Sequence, residues 1–107
     1  MTPEGKIKRS ILEYLKAKDI FAWSNQSVAV RGRSTHGIFS QNGSSDIIGV
    51  IGGGSILCIE VKTKKGKVSE KQQAFIDKIN HAGGRAGVAT CIDDVNEILM
   101  APRYISP

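Results

Sequence analysis

The sequence predicts an α/β sandwich of element order αβββαβα around a small mixed β-sheet. Three observations predict it. Apolar residues recur at helical spacing before Lys18 and again after Ser69. Two short β-branched runs flank the glycine-rich stretch Gly52-Gly53-Gly54-Ser55. A further run of this kind, residues 85–92, follows the second helical segment. With 107 residues, 40% of them apolar, the chain suits a single domain over residues 1–107 with one hydrophobic core.

Thr2-Pro3-Glu4 is a helix start, a capping residue followed by proline at the first helical position. Ile7, Ile11, Tyr14 and Leu15 then mark a helix to about Lys18. Residues 20–30 are rich in β-branched and aromatic side chains and read as one strand with a bend near Asn25. Residues 31–45 hold three glycines and no periodicity, which predicts a long loop with a functional role. Residues 46–51 and 56–62 read as the two strands of a hairpin closed by the glycine turn. After a basic loop, 63–68, Ser69-Glu70-Lys71-Gln72 forms a capping box that opens a helix with Phe75, Ile76 and Ile79 on its apolar stripe. Gly83-Gly84 ends that helix, residues 85–92 return as a strand, and Asp93 is expected to cap a last short helix closed by Pro102.

The formal net charge is +5, a balance that favours a polyanionic partner, and nucleic acid is the commonest one. Arg31, Arg33 and His36 cluster in one loop and Lys64, Lys65 and Lys67 in another. These are the expected DNA-binding residues, touching phosphates rather than bases. His36 is also compatible with a plain exposed position. Cys58 and Cys91 sit in apolar runs without C-x-x-C spacing, so buried thiols are expected rather than a zinc site. The N-terminus has no apolar signal-peptide core, and no run approaches the roughly 20 apolar residues of a membrane span. A cytoplasmic protein with no membrane partner is expected.

Polar residues stand where apolar ones belong. Glu60 and Lys62 share one face at the end of the Ile56–Lys62 run, while Ile59 and Val61 share the other. An isolated E-x-K of this kind is most often a surface salt bridge. A hairpin turning near Gly53, however, brings Asp46 beside Glu60, and two adjacent carboxylates repel unless a cation or a proton lies between them. With a lysine alongside, the pair suits a magnesium site. Glu4 lies at the centre of the Ile7, Ile11 and Leu15 stripe, where it either complements the helix dipole or reaches a site. Gln72 is likewise centred on an apolar stripe, but it also completes the capping box, so two roles compete for one side chain.

Taken in order, these residues resemble the PD-(D/E)XK nuclease superfamily: a helix bearing an acid, a strand with Asp, a hairpin partner with (D/E)-x-K, then a helix. Within it the chain is similar to the VRR-NUC family, the virus-type replication-repair nucleases. The matching pieces are Glu4, Gly43-Ser44-Ser45-Asp46-Ile47-Ile48-Gly49, Ile59-Glu60-Val61-Lys62-Thr63 and Gly66-Lys67-Val68-Ser69-Glu70-Lys71-Gln72-Gln73. Ser45 departs from the proline that many superfamily members carry before the aspartate.

The resemblance implies a restriction-endonuclease-like fold and Mg²⁺- or Mn²⁺-dependent hydrolysis of DNA phosphodiesters. It implies catalytic roles for Asp46, Glu60, Lys62, Gln72 and Glu4. Asp46, Glu60, the Val61 carbonyl and Glu4 would be metal ligands, Glu4 directly or through water. Lys62 would orient the attacking water, help deprotonate it or stabilise charge on the phosphate, and Gln72 would hold Lys62 or the water. Single-domain members of the family resemble dimeric structure-selective nucleases that cut branched DNA such as four-way (Holliday) junctions, which implies a homodimer and a role in DNA repair in the cytoplasm of a bacterial or phage-infected host cell. Ile38 and Phe39 in the long loop are expected either at a dimer interface or folded onto their own core. A less selective nicking or flap endonuclease, a non-catalytic DNA-binding module and a small structural protein are the competing readings.

Overall fold

Thr2 starts the first helix as its sequence requires. Its Oγ1 accepts the Gly5 N–H at 3.0 Å, and Pro3 takes the first helical position, where no amide is needed. The computed structural model describes residues 1–25, 28–30, 33–35 and 43–102, with α1 spanning Pro3–Ala17. Ile11 and Leu15, one helical turn apart, are fully buried.

Six strands and two further helices follow: β1 (Phe21–Ser24), β2 (Val28–Val30), β3 (Arg33–Thr35), β4 (Ile47–Ile51), β5 (Ser55–Val61), α2 (Glu70–His81), β6 (Arg85–Ala89) and α3 (Ile92–Met100). The main sheet has the order β1-β4-β5-β6. β1, β4 and β5 pair antiparallel, and β6 joins β5 in parallel across the α2 connection. Within this sheet and its helices the order is αβββαβα, the predicted mixed α/β arrangement. β2 and β3 pair with each other as a separate two-stranded ribbon.

Alternation along the strands divides the sheet into two faces. Ile47, Leu57, Ile59, Val61 and Ala89 point to one side and pack with Ile11, Leu15 and Val95 of α1 and α3. Ile48, Cys58 and Glu60 point to the other, where α2 lies against β5 and β6. Glu60 therefore stands beneath α2 in an otherwise apolar layer.

Several local expectations need correction. Residues 20–30 are two strands, not one. The ladder with β4 stops at Ser24, and the Asn25 N–H donates instead to the Asp46 carbonyl at 2.7 Å. Residues 33–35, expected within a loop, form β3 because Val28–Val30 offers them an antiparallel partner. Strand β6 ends at Ala89, since Asp94 takes both the Thr90 N–H and hydroxyl at 2.8 Å. These bonds lower the pKa of Asp94. Cys91, not Asp93, is thus the residue before α3, and its side chain is exposed where burial was expected. Cys58 is buried as predicted, and burial pushes its thiol pKa up to about 12. Among the described residues no helix is long and apolar enough to cross a membrane. Arg31, His36, Ile38 and Phe39 lie outside the described residues.

Candidate active site

The hairpin register sets the site. Ile51 pairs with Ser55 and Ile47 with Ile59, so the next step along the ladder places Asp46 across from Glu60. The Asp46 side chain turns over the strand end, and its Oδ2 accepts the Val61 N–H at 2.9 Å. The segment leading to it is held from two sides. Asn25 bonds it from the β1 end, and Gly43 lets it lie against α2. Gly43 has φ of 81°, and a Cβ there would fall 2.5 Å from the Lys71 carbonyl. No side chain fits that approach.

Glu60 is 2% exposed. Its Oε2 accepts from Gln72 Nε2 at 2.9 Å and lies 3.6 Å from Lys62 Nζ. Among the described residues its Oε1 is buried without a hydrogen-bond partner. Burial is the main force on this carboxyl and the neighbouring Asp46 charge is the second. Lys62 offsets only part of both, and the pKa rises to about 8. The pocket is thus short of positive charge. Two adjacent carboxylates, one with an orphaned buried oxygen, are hard oxygen donors that fit a divalent cation of the Mg²⁺ type. Among the described residues no three His, Cys, Asp or Glu side chains converge on one point. The remaining ligands would be main-chain oxygen, water or substrate, the usual habit of Mg²⁺.

The two roles open to Gln72 do not compete. Its Oε1 accepts the Ser69 N–H at 2.9 Å and closes the capping box, while its Nε2 faces Glu60. One amide uses both ends, so the start of α2 is tied to the acid of β5. Lys62, the other neighbour of Glu60, has a largely buried side chain, 16% exposed.

A cleft of about 600 Å³ runs from Asp46 and Val61 along the start of α1. Glu4 lines it but is exposed, outside any three-carboxylate cluster among the described residues. Lys8 and Arg9 line the same cleft. Sequence reasoning missed both because each reads as one more solvated helix charge; only their spacing of four residues from Glu4 and Gly5 placed them on its wall. Arg9 is bridged to Glu13 at 3.3 Å. It also missed Asn25, whose signal was a polar residue at the end of an apolar strand. Lys64, Lys65 and Lys67 are exposed between β5 and α2. Arg33 lies on β3, in the separate ribbon.

Comparison with known proteins bears on the family and the fold. The family model described as "VRR-NUC domain" matches residues 4–92. A solved structure described as "VRR_NUC domain" superposes with a TM-score of 0.66 at 20% identity, covering 94% of this chain and 98% of that one. At that identity the likeness concerns the fold. No curated protein matches the sequence.

Proposed function

The chain belongs to the VRR-NUC family of nuclease domains, and from that premise we propose that it is a metal-dependent DNA endonuclease, structure-selective for branched DNA such as four-way junctions. The observation that supports this most is the Glu60 carboxyl: buried, beside a second carboxylate, with one oxygen unpartnered. A protein that only bound DNA would gain nothing from such a pair facing a polyanion, and a structural core would pair or replace it.

In this reading Asp46 and Glu60, with the Val61 carbonyl, would hold Mg²⁺ or Mn²⁺, and Glu4 on the cleft wall would assist through water. A divalent ion held there would supply Lewis-acid chemistry, a more acidic water and neutralisation of charge on the phosphate. The chain's own groups do the placing. Gln72 fixes the rotamer of Glu60. The Val61 N–H fixes that of Asp46. Lys62, restrained by Glu60, orients the attacking water and balances negative charge on the phosphoryl oxygens. Lys8 lines the cleft beside Asp46 and is placed to meet backbone phosphates there, while the exposed Lys64, Lys65 and Lys67 meet them further along the duplex. A homodimer would supply the two sites that cutting a two-fold symmetric junction needs.

Purified protein should be offered linear, nicked, flap and four-way DNAs with Mg²⁺, Mn²⁺, Ca²⁺ or EDTA. Cleavage of branched substrates with Mg²⁺ or Mn²⁺, and binding with little cutting in Ca²⁺, is expected. Full cleavage in EDTA would overturn the metal requirement. Equal cleavage of all DNAs would leave a nicking or flap enzyme, and binding without cutting under every condition would leave a binding module. Light scattering with and without junction DNA tests the dimer, which a strict monomer would exclude.

A further inference from the structure

Asn25 follows Ser24, the last β1 residue paired with β4, and it touches each of the three residues that precede Ile47. Its Nδ2 donates to Ser44 Oγ at 3.1 Å and to the Ser45 carbonyl at 3.1 Å. Its backbone N–H donates to the Asp46 carbonyl at 2.7 Å. Ser45 is buried, and among the described residues its own hydroxyl has no hydrogen-bond partner. Ser45 thus contributes no side-chain bond to the shape of this turn, and the Asn25 amide does. We propose that Asn25 is a positioning residue for the nuclease reaction: by clamping residues 44–46 it holds the Asp46 carboxylate on the Val61 N–H, beside Glu60.

The inference rests on the proposed nuclease reading for its catalytic consequence, but its structural core stands on the bonds themselves. Among the described residues two hydrogen bonds tie Asp46 down from opposite sides. The main chain is tied to Asn25 on one side, and the carboxylate is tied to Val61 on the other. Asp46 stands across from Glu60 at the end of the β4–β5 ladder, and two carboxylates placed so repel each other. The Asn25 clamp resists that push through the backbone, where a side-chain rotamer alone would yield. An isosteric aspartate at position 25 loses both Nδ2 donations and sets a carboxylate against the Ser45 carbonyl. A proline at position 45 restricts the same turn covalently by fixing φ, and it removes a hydroxyl that is unpartnered here.

The test compares wild type, Asn25→Ala, Asn25→Asp and the double variant Asn25→Ala with Ser45→Pro. Amide hydrogen exchange at Val61 reports whether Asp46 stays on its donor, independently of activity or metal. In both single variants Val61 exchange should rise about tenfold or more relative to Leu57 and Ile59, which serve as internal controls. The cleavage kcat should fall by a similar factor with KM for DNA little changed, and Ser45→Pro should recover both readouts. If one single variant fails to fold, the other carries the comparison. Unchanged Val61 protection, or a loss confined to KM, would overturn the proposal. If wild type cuts no DNA, the nuclease reading falls and the exchange arm alone decides whether Asn25 places Asp46.

Discussion

Gln72 Nε2 donates to Glu60 Oε2 at 2.9 Å while the other end of the same amide caps the helix that carries it. This couples the stability of α2 to the placement of the acid on β5. The capping bond and the Glu60 bond are separable by mutation. Ser69→Ala should cost about 1 kcal/mol through the cap alone. Gln72→Ala should cost more, about 2 kcal/mol, because it also strips a buried carboxylate of a donor. Gln72→Glu preserves the box, since Glu serves at that position as well as Gln, but sets a third carboxylate beside Asp46 and Glu60. Thermal unfolding at pH 5 and pH 8 should show Gln72→Glu near wild type at the lower pH and well below it at the higher. Equal losses for Ser69→Ala and Gln72→Ala would mean that the Glu60 bond contributes nothing.

Glu60 sets a pH dependence whose sign follows from its pKa. An ordinary glutamate titrates near 4.5, and Glu60 in the fold near 8. Between those values the folded state binds more protons than the unfolded one, so stability falls as pH rises through the window and levels off above it. Urea midpoints in EDTA should therefore drop from pH 5 to pH 8.5 more steeply for wild type than for Glu60→Gln, which cannot ionise. Millimolar Mg²⁺ at pH 8.5 should recover wild type and leave Glu60→Gln unmoved. No recovery would count against a divalent site at Asp46 and Glu60.

Asp46→Ala, Glu60→Ala and Lys62→Ala should each lower kcat by roughly 100-fold or more, with combined variants little worse than single ones, because residues of one site act as a unit. Glu4→Ala should lose less, since Glu4 stands on the exposed wall of the cleft. Single-turnover cleavage of one branched substrate measures all of these. A Lys62→Ala enzyme with the wild-type rate would remove that lysine from the reaction.

The site was legible in the sequence to the extent that it depends on register. Alternation fixed Glu60 and Lys62 on one face, and a turn centred on Gly53 required Asp46 to stand opposite Glu60; Ile47 and Ile59 pair as that demands. The capping box of Ser69 and Gln72 is a local pattern and forms as read. What local pattern could not supply was where a strand's partner ends. Nothing in residues 20–30 says that the β4 ladder stops at Ser24, so Asn25 read as a bend in one strand and β3 as loop. Cys91 was misread for a related reason: an apolar run looks like continuous strand, and only the Asp94 carboxylate on Thr90 reveals its end. Lys8 and Arg9 share a side of α1 with Glu4 and Gly5, but that this side faces the cleft depends on how α1 sits over the sheet.

The exposed lysines between β5 and α2 should bind DNA without reading its sequence. Each phosphate contact releases condensed counterion, so each lost contact should reduce the slope of log K against log salt by roughly one. The three are not equivalent. The Lys64 charge is the smallest of the effects that lower the pKa of Asp94, after the Thr90 and Cys91 bonds. Part of the Lys64 charge is therefore answered within the protein. Lys65→Ala and Lys67→Ala should each flatten the salt slope by about one unit, and Lys64→Ala by less. Binding to four-way DNA in Ca²⁺ at several salt concentrations gives the slopes directly. The Asp94→Asn background supplies the control: without the carboxylate, Lys64→Ala should cost as much slope as the other two. An equal effect of all three lysines in both backgrounds would show that Asp94 does not restrain Lys64. A sequence preference that vanished with any of them would place that lysine on a base edge instead of a phosphate.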